Sequence, residues 1–339
     1  MRLRLLAAVA VLAVSLGLVL RAEGTPRPPE LLSQTGLYDA SGTIDPRNAP
    51  FAPQYPLWTD GAAKARWIFL PAGSKIDVTD VDLWRFPDGT KIWKEFGFGG
   101  KRVETRMLWR IGEEWVFATY VWNEDQSDAR LAPAGGVPDV VEIAPGKRFS
   151  IPSLADCNAC HRSSPAVVLG FNALQLSDDR DPLAPHGEPL QPGDLTLRSL
   201  AESDRLAPER WELVARPPRV RESDPAARAA LGYLSGNCGG CHNSSGPLAH
   251  LGLNLLHDAA GAPTAPEPAR VTAVDVVGRF LVPGHADASR RVAPGAPDHS
   301  VLLYRMQSRR PSSQMPPLGT VVRDDEAIAL VSRWVESLK

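Results

Sequence analysis

From Trp58 to Trp122 the chain alternates apolar and polar positions in short runs broken by turn residues. Trp67-Ile68-Phe69-Leu70, Lys91-Ile92-Trp93-Lys94-Glu95-Phe96, Arg102 to Arg110 and Glu114 to Trp122 are separated by Pro87-Asp88-Gly89, by Gly97 to Gly100 and by Gly112. Alternation with aromatic and β-branched residues, punctuated by Gly and Pro, predicts an antiparallel series of hairpins. Seven of the nine tryptophans fall in this stretch, and residues from about 40 to 150 read as a β sandwich or barrel. Residues 25–55 read as an irregular arm.

After Ser153 the pattern changes to short helices, turns and loops rich in Pro, Gly and Ala. Asp224-Pro225-Ala226 to Leu234 predicts a helix with Asp at the N-cap and Pro in the first turn. Asp324 to Leu338 predicts a second one, with Ala327, Ile328, Leu330, Val331, Trp334, Val335 and Leu338 on one broad apolar face. Val167 to Leu176 and Leu195 to Val214 are expected to supply further helical material, and His257 to Thr272 a loop. The fold class is therefore multidomain: an antiparallel β sandwich or barrel, then a mainly α region. The expected divisions are a leader at 1–24, a β-rich part with its arm at 25–150, a segment at 151–223 and a helical part at 224–339. No long repeat is visible.

All four cysteines fall in two copies of one pentapeptide, Cys157-Asn158-Ala159-Cys160-His161 and Cys238-Gly239-Gly240-Cys241-His242. Cys-x-x-Cys-His is the attachment pattern of c-type haem: two thiols add to the vinyl groups along one porphyrin edge, and the adjoining histidine reaches under the iron. The motifs thus imply two covalent haem c groups held by Cys157, Cys160, Cys238 and Cys241, with His161 and His242 as iron ligands. A structural zinc built from the two Cys pairs would leave both histidines spare. A redox-active Cys-x-x-Cys would need a βαβ setting that neither copy shows, and disulfides within the motifs are the remaining alternative. A helix leading into the second motif, with another closing the chain, resembles class I cytochromes c.

Each proximal histidine leaves a sixth iron position. For the second haem the candidate is Met315, in Gln314-Met315-Pro316-Pro317-Leu318-Gly319 before the last helix, where flanking prolines restrict the backbone; a plain loop methionine is the alternative. Met306 has helical spacing with Leu302 and Leu303 and reads as core. For the first haem, His186, His250, His257, His285, His299 and Met107 are candidates, beside an open or water-ligated iron. Arg66, Arg102, Arg106 and Trp109 read chiefly as a solvated sheet face, and alternatively as a lining for haem propionates or substrate. Asn123 to Asp128 lacks the spacing of a calcium loop and reads as a turn.

Met1-Arg2-Leu3-Arg4, a run from Leu5 to Leu20 and Arg21-Ala22-Glu23-Gly24 make a basic, apolar and small-residue sequence typical of an export leader. Its apolar run would cover about 24 Å as a helix, short of the roughly 30 Å of a bilayer core. The expectation is a periplasmic protein without stable membrane insertion after processing, or one with an N-terminal anchor if the leader stays uncut. The formal charge of −2 becomes −4 once three Arg and one Glu leave with the first 24 residues. That leaves no basic field for nucleic acid.

Taken together, Pro56-Leu57-Trp58-Thr59-Asp60-Gly61 with Lys64, Arg66 to Pro71, Phe86-Pro87-Asp88-Gly89-Thr90, Glu104-Thr105-Arg106, Tyr120 to Asn123, the Cys157 motif with Leu169-Gly170-Phe171-Asn172 and Gln175-Leu176, Asn237-Cys238, Val292 to Gly295 and Met315 to Gly319 resemble a family of exported bacterial dihaem c-type cytochromes with a β-rich N-terminal extension. The resemblance spans roughly 55–339; Arg323-Asp324-Asp325 stands where such chains commonly read Val-Asp. It implies haem binding and electron transfer with a redox protein partner, and brings no substrate. Three functions follow as expectations: an electron carrier; a dihaem redox enzyme of peroxidase or dehydrogenase-subunit type, with an open first haem; and a β part that recognises carbohydrate or protein through Trp58, Trp84 or Trp93.

Overall fold

The computed structural model describes residues 27–285 and 288–339; the expected leader lies outside them. An antiparallel β region precedes a smaller helical part. The hairpin series forms one open six-stranded sheet in the order β1 (Asn48–Pro50), β2 (Ala63–Phe69), β4 (Lys91–Phe98), β5 (Lys101–Ile111), β6 (Glu114–Trp122) and β7 (Ala129–Leu131), with β3 (Ile76–Asp77) set apart. A separate ribbon pairs β8 (Val137–Ala144) with β9 (Lys147–Ile151). The expected sandwich or barrel is thus replaced by an open sheet whose covering layers are loops and short helices.

Both faces of the sheet are covered, which is why its strands mix apolar and charged residues instead of alternating cleanly. One face presents Trp93, Met107, Tyr120 and Trp122 to Leu32 and Leu37 of the arm. The arm is therefore structural: it contributes β1 and two fully buried leucines. The other face carries the cross-strand row Ile68, Ile92, Leu108 and Phe117, packed against Val168, Phe171, Leu176, Leu197 and Leu200. Residues 167–176 do this as turns and not as the expected helix.

The first motif lies inside α1 (Leu154–His161), which Ser153 opens with a capping box: its hydroxyl accepts from Asp156 N at 3.1 Å, and the Asp156 carboxylate accepts from Ser153 N at 2.9 Å. The stretch 195–214 becomes α2 (Leu197–Glu202), β10 (Leu206–Ala207), which pairs with β3, and α3 (Trp211–Ala215). The helix α4 (Pro225–Asn237) has the expected Asp224 cap, accepting from Ala227 N at 2.7 Å. It runs three residues beyond Leu234 and delivers Cys238 as its C-cap. The predicted loop before Thr272 ends in α5 (Pro268–Ala273), followed by α6 (Val301–Gln307) and α7 (Asp325–Ser337). The expected apolar face of α7 is buried against α4 in one cluster containing Leu231, Leu234, Val331 and Trp334. Met306 is buried in the same cluster, as expected. No helix among the described residues is long and apolar enough to cross a membrane.

The two parts interlock through residues 55–60. Tyr55 fills the space beside two helix glycines: a Cβ at Gly232 would land inside the Tyr55 ring, and one at Gly236 on the Tyr55 carbonyl. Glycine inside a helix costs about 1 kcal/mol relative to alanine, and here that cost creates the seat for Tyr55. Its hydroxyl donates to Asp181 at 2.8 Å, Trp58 N donates to Asn237 at 2.6 Å, and Asp60 accepts from Val321 N at 2.9 Å and Val322 N at 3.0 Å.

Candidate functional site

The two pentapeptides, 81 positions apart in sequence, are neighbours in space. Asn243 Nδ2, just after the second motif, donates to Ser163 O, just after the first, at 3.4 Å. A Cβ at Gly246 would strike that same Ser163 carbonyl, so the close approach requires glycine. Leu169 lies over Gly240, its Cδ2 being 3.7 Å from where a Cβ would stand. Cys160 is close enough to Cys241 for a thiolate there to disfavour its own ionisation.

At the first motif, His161 Nδ1 lies 2.7 Å from Val167 O and its ring 5.1 Å from that of Phe117. A carbonyl that takes the Nδ1 proton fixes the tautomer with a free Nε2, the arrangement that metal-bound histidines require. Burial, helped by Lys94 and Arg106 and opposed by the Val167 bond, pushes its pKa down to about 4, so the ring is neutral and able to donate a lone pair. Cys157 packs on the apolar sheet cluster next to the Thr119 hydroxyl. At the second motif, His242 N donates to Cys238 O at 2.9 Å, closing the motif into a turn. His242 Nδ1 is buried without a hydrogen-bond partner. Burial, then Arg305 and Arg291, lowers its pKa. Arg305 also carries the Met315 loop: its carbonyl accepts from Met315 N at 2.9 Å, and its Nε donates to Ser313 O at 3.1 Å.

The thiols are not poised as nucleophiles. Burial pushes all four up, Cys238 to about 12. Reactive Cys-x-x-Cys sites show the opposite shift. Among the described residues no three His, Cys, Asp or Glu side chains converge as a metal site, so the four thiols do not form the tetrahedral set of a structural zinc. Each motif sets one histidine beside two thiols, fewer side chains than a metal bound by protein alone requires.

The candidates for the first sixth position are engaged elsewhere. Met107 is buried on the opposite face of the sheet. His186 Nε2 lies 2.9 Å from Asp324 Oδ1, and its ring 4.6 Å from that of Trp58. His250 Nδ1 meets Pro247 O, His257 is buried against Glu267, and the His285 and His299 rings lie 4.7 Å apart, tilted by 55°. The turn at 123–128 is used structurally: Asp128 holds Ser33.

The arginines divide by face. Arg102 lies over Trp122, 3.5 Å from the ring centroid, with Gln126 beside it, and Trp109 takes Lys91 at 4.9 Å. Both belong to the arm side. Arg66 and Arg106 are not a solvated face: they point to the first motif's side, each forked onto a carboxylate, Glu188 and Glu104. Beside them stand Lys64, which the sequence marked only as part of the stretch resembling the cytochrome family, and Lys94, which nothing in the sequence singled out. In β2, Lys64 and Arg66 alternate with apolar residues, whereas Lys94 lies beside Glu95 in β4 with no such pattern. A cleft of about 600 Å³ lined by Trp58, Lys64, Arg66, Trp67, His186 and Glu188 adjoins them. Trp84 and Trp93 are buried, so a recognition surface has Trp58 alone among the three.

Comparison with protein-family models, curated proteins and solved structures finds no match to this chain.

Proposed function

We propose that this chain is an exported dihaem c-type cytochrome that passes electrons through two haem groups. Cys157 and Cys160 would hold one, Cys238 and Cys241 the other, with His161 and His242 as proximal ligands and Met315 as the second distal ligand. The observation that carries the reading is the juxtaposition of the two Cys-x-x-Cys-His segments through Asn243, Ser163 and Gly246. Nothing in their sequence separation requires it, and two electron-carrying groups gain from contact. A bound haem supplies a one-electron iron couple. The chain's own contribution is to fix His161 through Val167, to seat Cys238 at the end of α4, and to hold Met315 at the Arg305 carbonyl. Packing of α4 against α7 beside the second motif supports a class I cytochrome-like second part. The periplasm, where such haem is attached, is the compartment this reading implies.

A second reading, a dihaem enzyme with an open first haem, is favoured by one observation: every His or Met candidate for that sixth position has another partner or lies on the far face. The optical spectrum of the haem-loaded, reduced protein with and without carbon monoxide separates the two. An unchanged spectrum means two six-coordinate irons and a carrier. Conversion of half the signal to a carbon monoxide adduct means an open iron and a catalyst. A mass lacking two haem additions after expression with c-type maturation would overturn both.

A further inference from the structure

We infer that Lys94 and Lys64 form the seat for the two propionate groups of the haem attached at Cys157 and Cys160. This rests on the attachment proposed above and adds the residues that orient the group's acidic edge.

The sheet register gives the argument its direction. Thr119 on β6 pairs with Arg106 on β5, Arg106 with Lys94 on β4, and Lys94 with Arg66 on β2. Side chains paired across adjacent antiparallel strands share a face, so these four form one row. The Thr119 end of the row touches the Cys157 thiol. The Arg66 end, three strands and about 14 Å away, reaches the cleft. That run is close to the width of a porphyrin, whose propionates lie on the edge opposite the thioether carbons. On one side of the row lie Ile68, Ile92, Leu108 and Phe117, and on the other Lys64, Phe96, Glu104 and Val121. The polar strip therefore runs between an apolar row already covered by the 168–200 segment and a mixed row that brings Lys64 and Glu104 beside it.

Charge pairing along the row is incomplete in a specific way. Glu188 takes Arg66 in two bonds of 2.8 and 3.1 Å, and fully buried Glu104 takes Arg106. Both guanidinium groups are thereby neutralised. Lys94 Nζ has no hydrogen bond or carboxylate partner among the described residues, and Lys64 Nζ bonds only the Leu57 carbonyl. Burial together with these neighbouring cations disfavours the charge of both lysines. Two deeply set ammonium groups without counter-ions are a costly arrangement for a chain on its own. Two carboxylates arriving on one rigid ligand remove that cost. The clustered charges Lys64, Arg66, Lys94 and Arg106, opposed by Glu104 and Glu188, leave two positive charges for them.

The test is spectroelectrochemistry of the mature protein, in which two haems titrate. A cation beside a propionate favours the reduced iron, so Lys94→Gln is expected to lower the reduction equilibrium constant of one haem about tenfold, which is ~59 mV for a one-electron couple. The other haem stays in place, and Lys94→Arg restores the first. Lys64→Gln, at the rim of the cleft, shifts the same haem in the same direction by less, and carries the test if Lys94→Gln does not mature. Exposed Lys101→Gln at the β4–β5 turn moves neither. Two attached haems with both potentials unchanged in Lys94→Gln and Lys64→Gln would overturn the inference while leaving the cytochrome reading intact. A wild-type protein without haem would remove the reading beneath it.

Discussion

The same pentapeptide occupies two unlike settings. At 157–161 it is part of a helix, lies on a sheet face striped with paired and unpaired charges, and has its histidine fixed by Val167 O at 2.7 Å. At 238–242 it begins where a helix stops, borders an apolar cluster of helices and leaves His242 Nδ1 without a partner. On the proposed reading the motif would specify bonding to haem, and the surroundings would decide charge, access and the distal side. A single chain can in this way give two chemically identical groups different potentials, which a carrier needs if electrons are to move in one direction.

The comparison can be broken most forcefully at the seam between the parts. Gly232→Ala places a methyl inside the Tyr55 ring and is expected to cost about 3 kcal/mol, the upper range of overpacking. Gly240→Ala meets only Leu169 at 3.7 Å and should cost far less. Urea unfolding midpoints read both, and equal costs would remove the wedge role given to Tyr55. Met315→Ala is expected to lower the reduction constant of one haem at least about tenfold and open it to carbon monoxide, with both haems still attached. An unaltered carbon monoxide spectrum would refute the Met315 assignment.

Asp60→Ala strips the acceptor from Val321 and Val322 N–H. About 1–3 kcal/mol of stability should be lost, and the disturbance should appear at the second haem, whose Met315 loop is tethered there, and not at the first. Capping supplies the smallest effect: Ser153→Ala ahead of the first motif and Asp224→Ala ahead of α4 should each cost about 1 kcal/mol in thermal unfolding.

The lysines' share of the pH dependence has a definite sign. In the haem-free chain Lys94 is pushed down to about 7 and Lys64 to about 8, burial being the main cause and neighbouring cations the second. Between those values and the ordinary lysine pKa of about 10.4 the unfolded chain binds more protons than the folded one. These two lysines therefore contribute a rise in stability with pH across that window, while the four thiols, raised by burial, contribute a fall above about 8.5. The slope should flatten in Lys94→Gln, as urea midpoints at pH 7 and pH 9.5 would reveal.

Sequence alone determined the features whose cause is local. The hairpin strands between Trp58 and Trp122, the Asp224 and Asp324 caps, the apolar face of α7 and the two Cys-x-x-Cys-His motifs are all written in neighbours a few residues apart, where periodicity and capping act. Tertiary structure decided what depends on distant partners. It opened the sheet, because the arm and the 168–200 segment cover its faces where a second sheet was expected. It turned Val167 to Leu176 into irregular turns, since Phe171 and Leu176 gain more from the sheet than from a helical repeat. It withdrew Met107 and the other histidines from the first motif, joined the two motifs through Asn243 and Gly246, and lined Lys94 up with Arg66, Arg106 and Thr119. Strand register and loop packing sum many weak long-range contacts, and no short stretch of the chain encodes them.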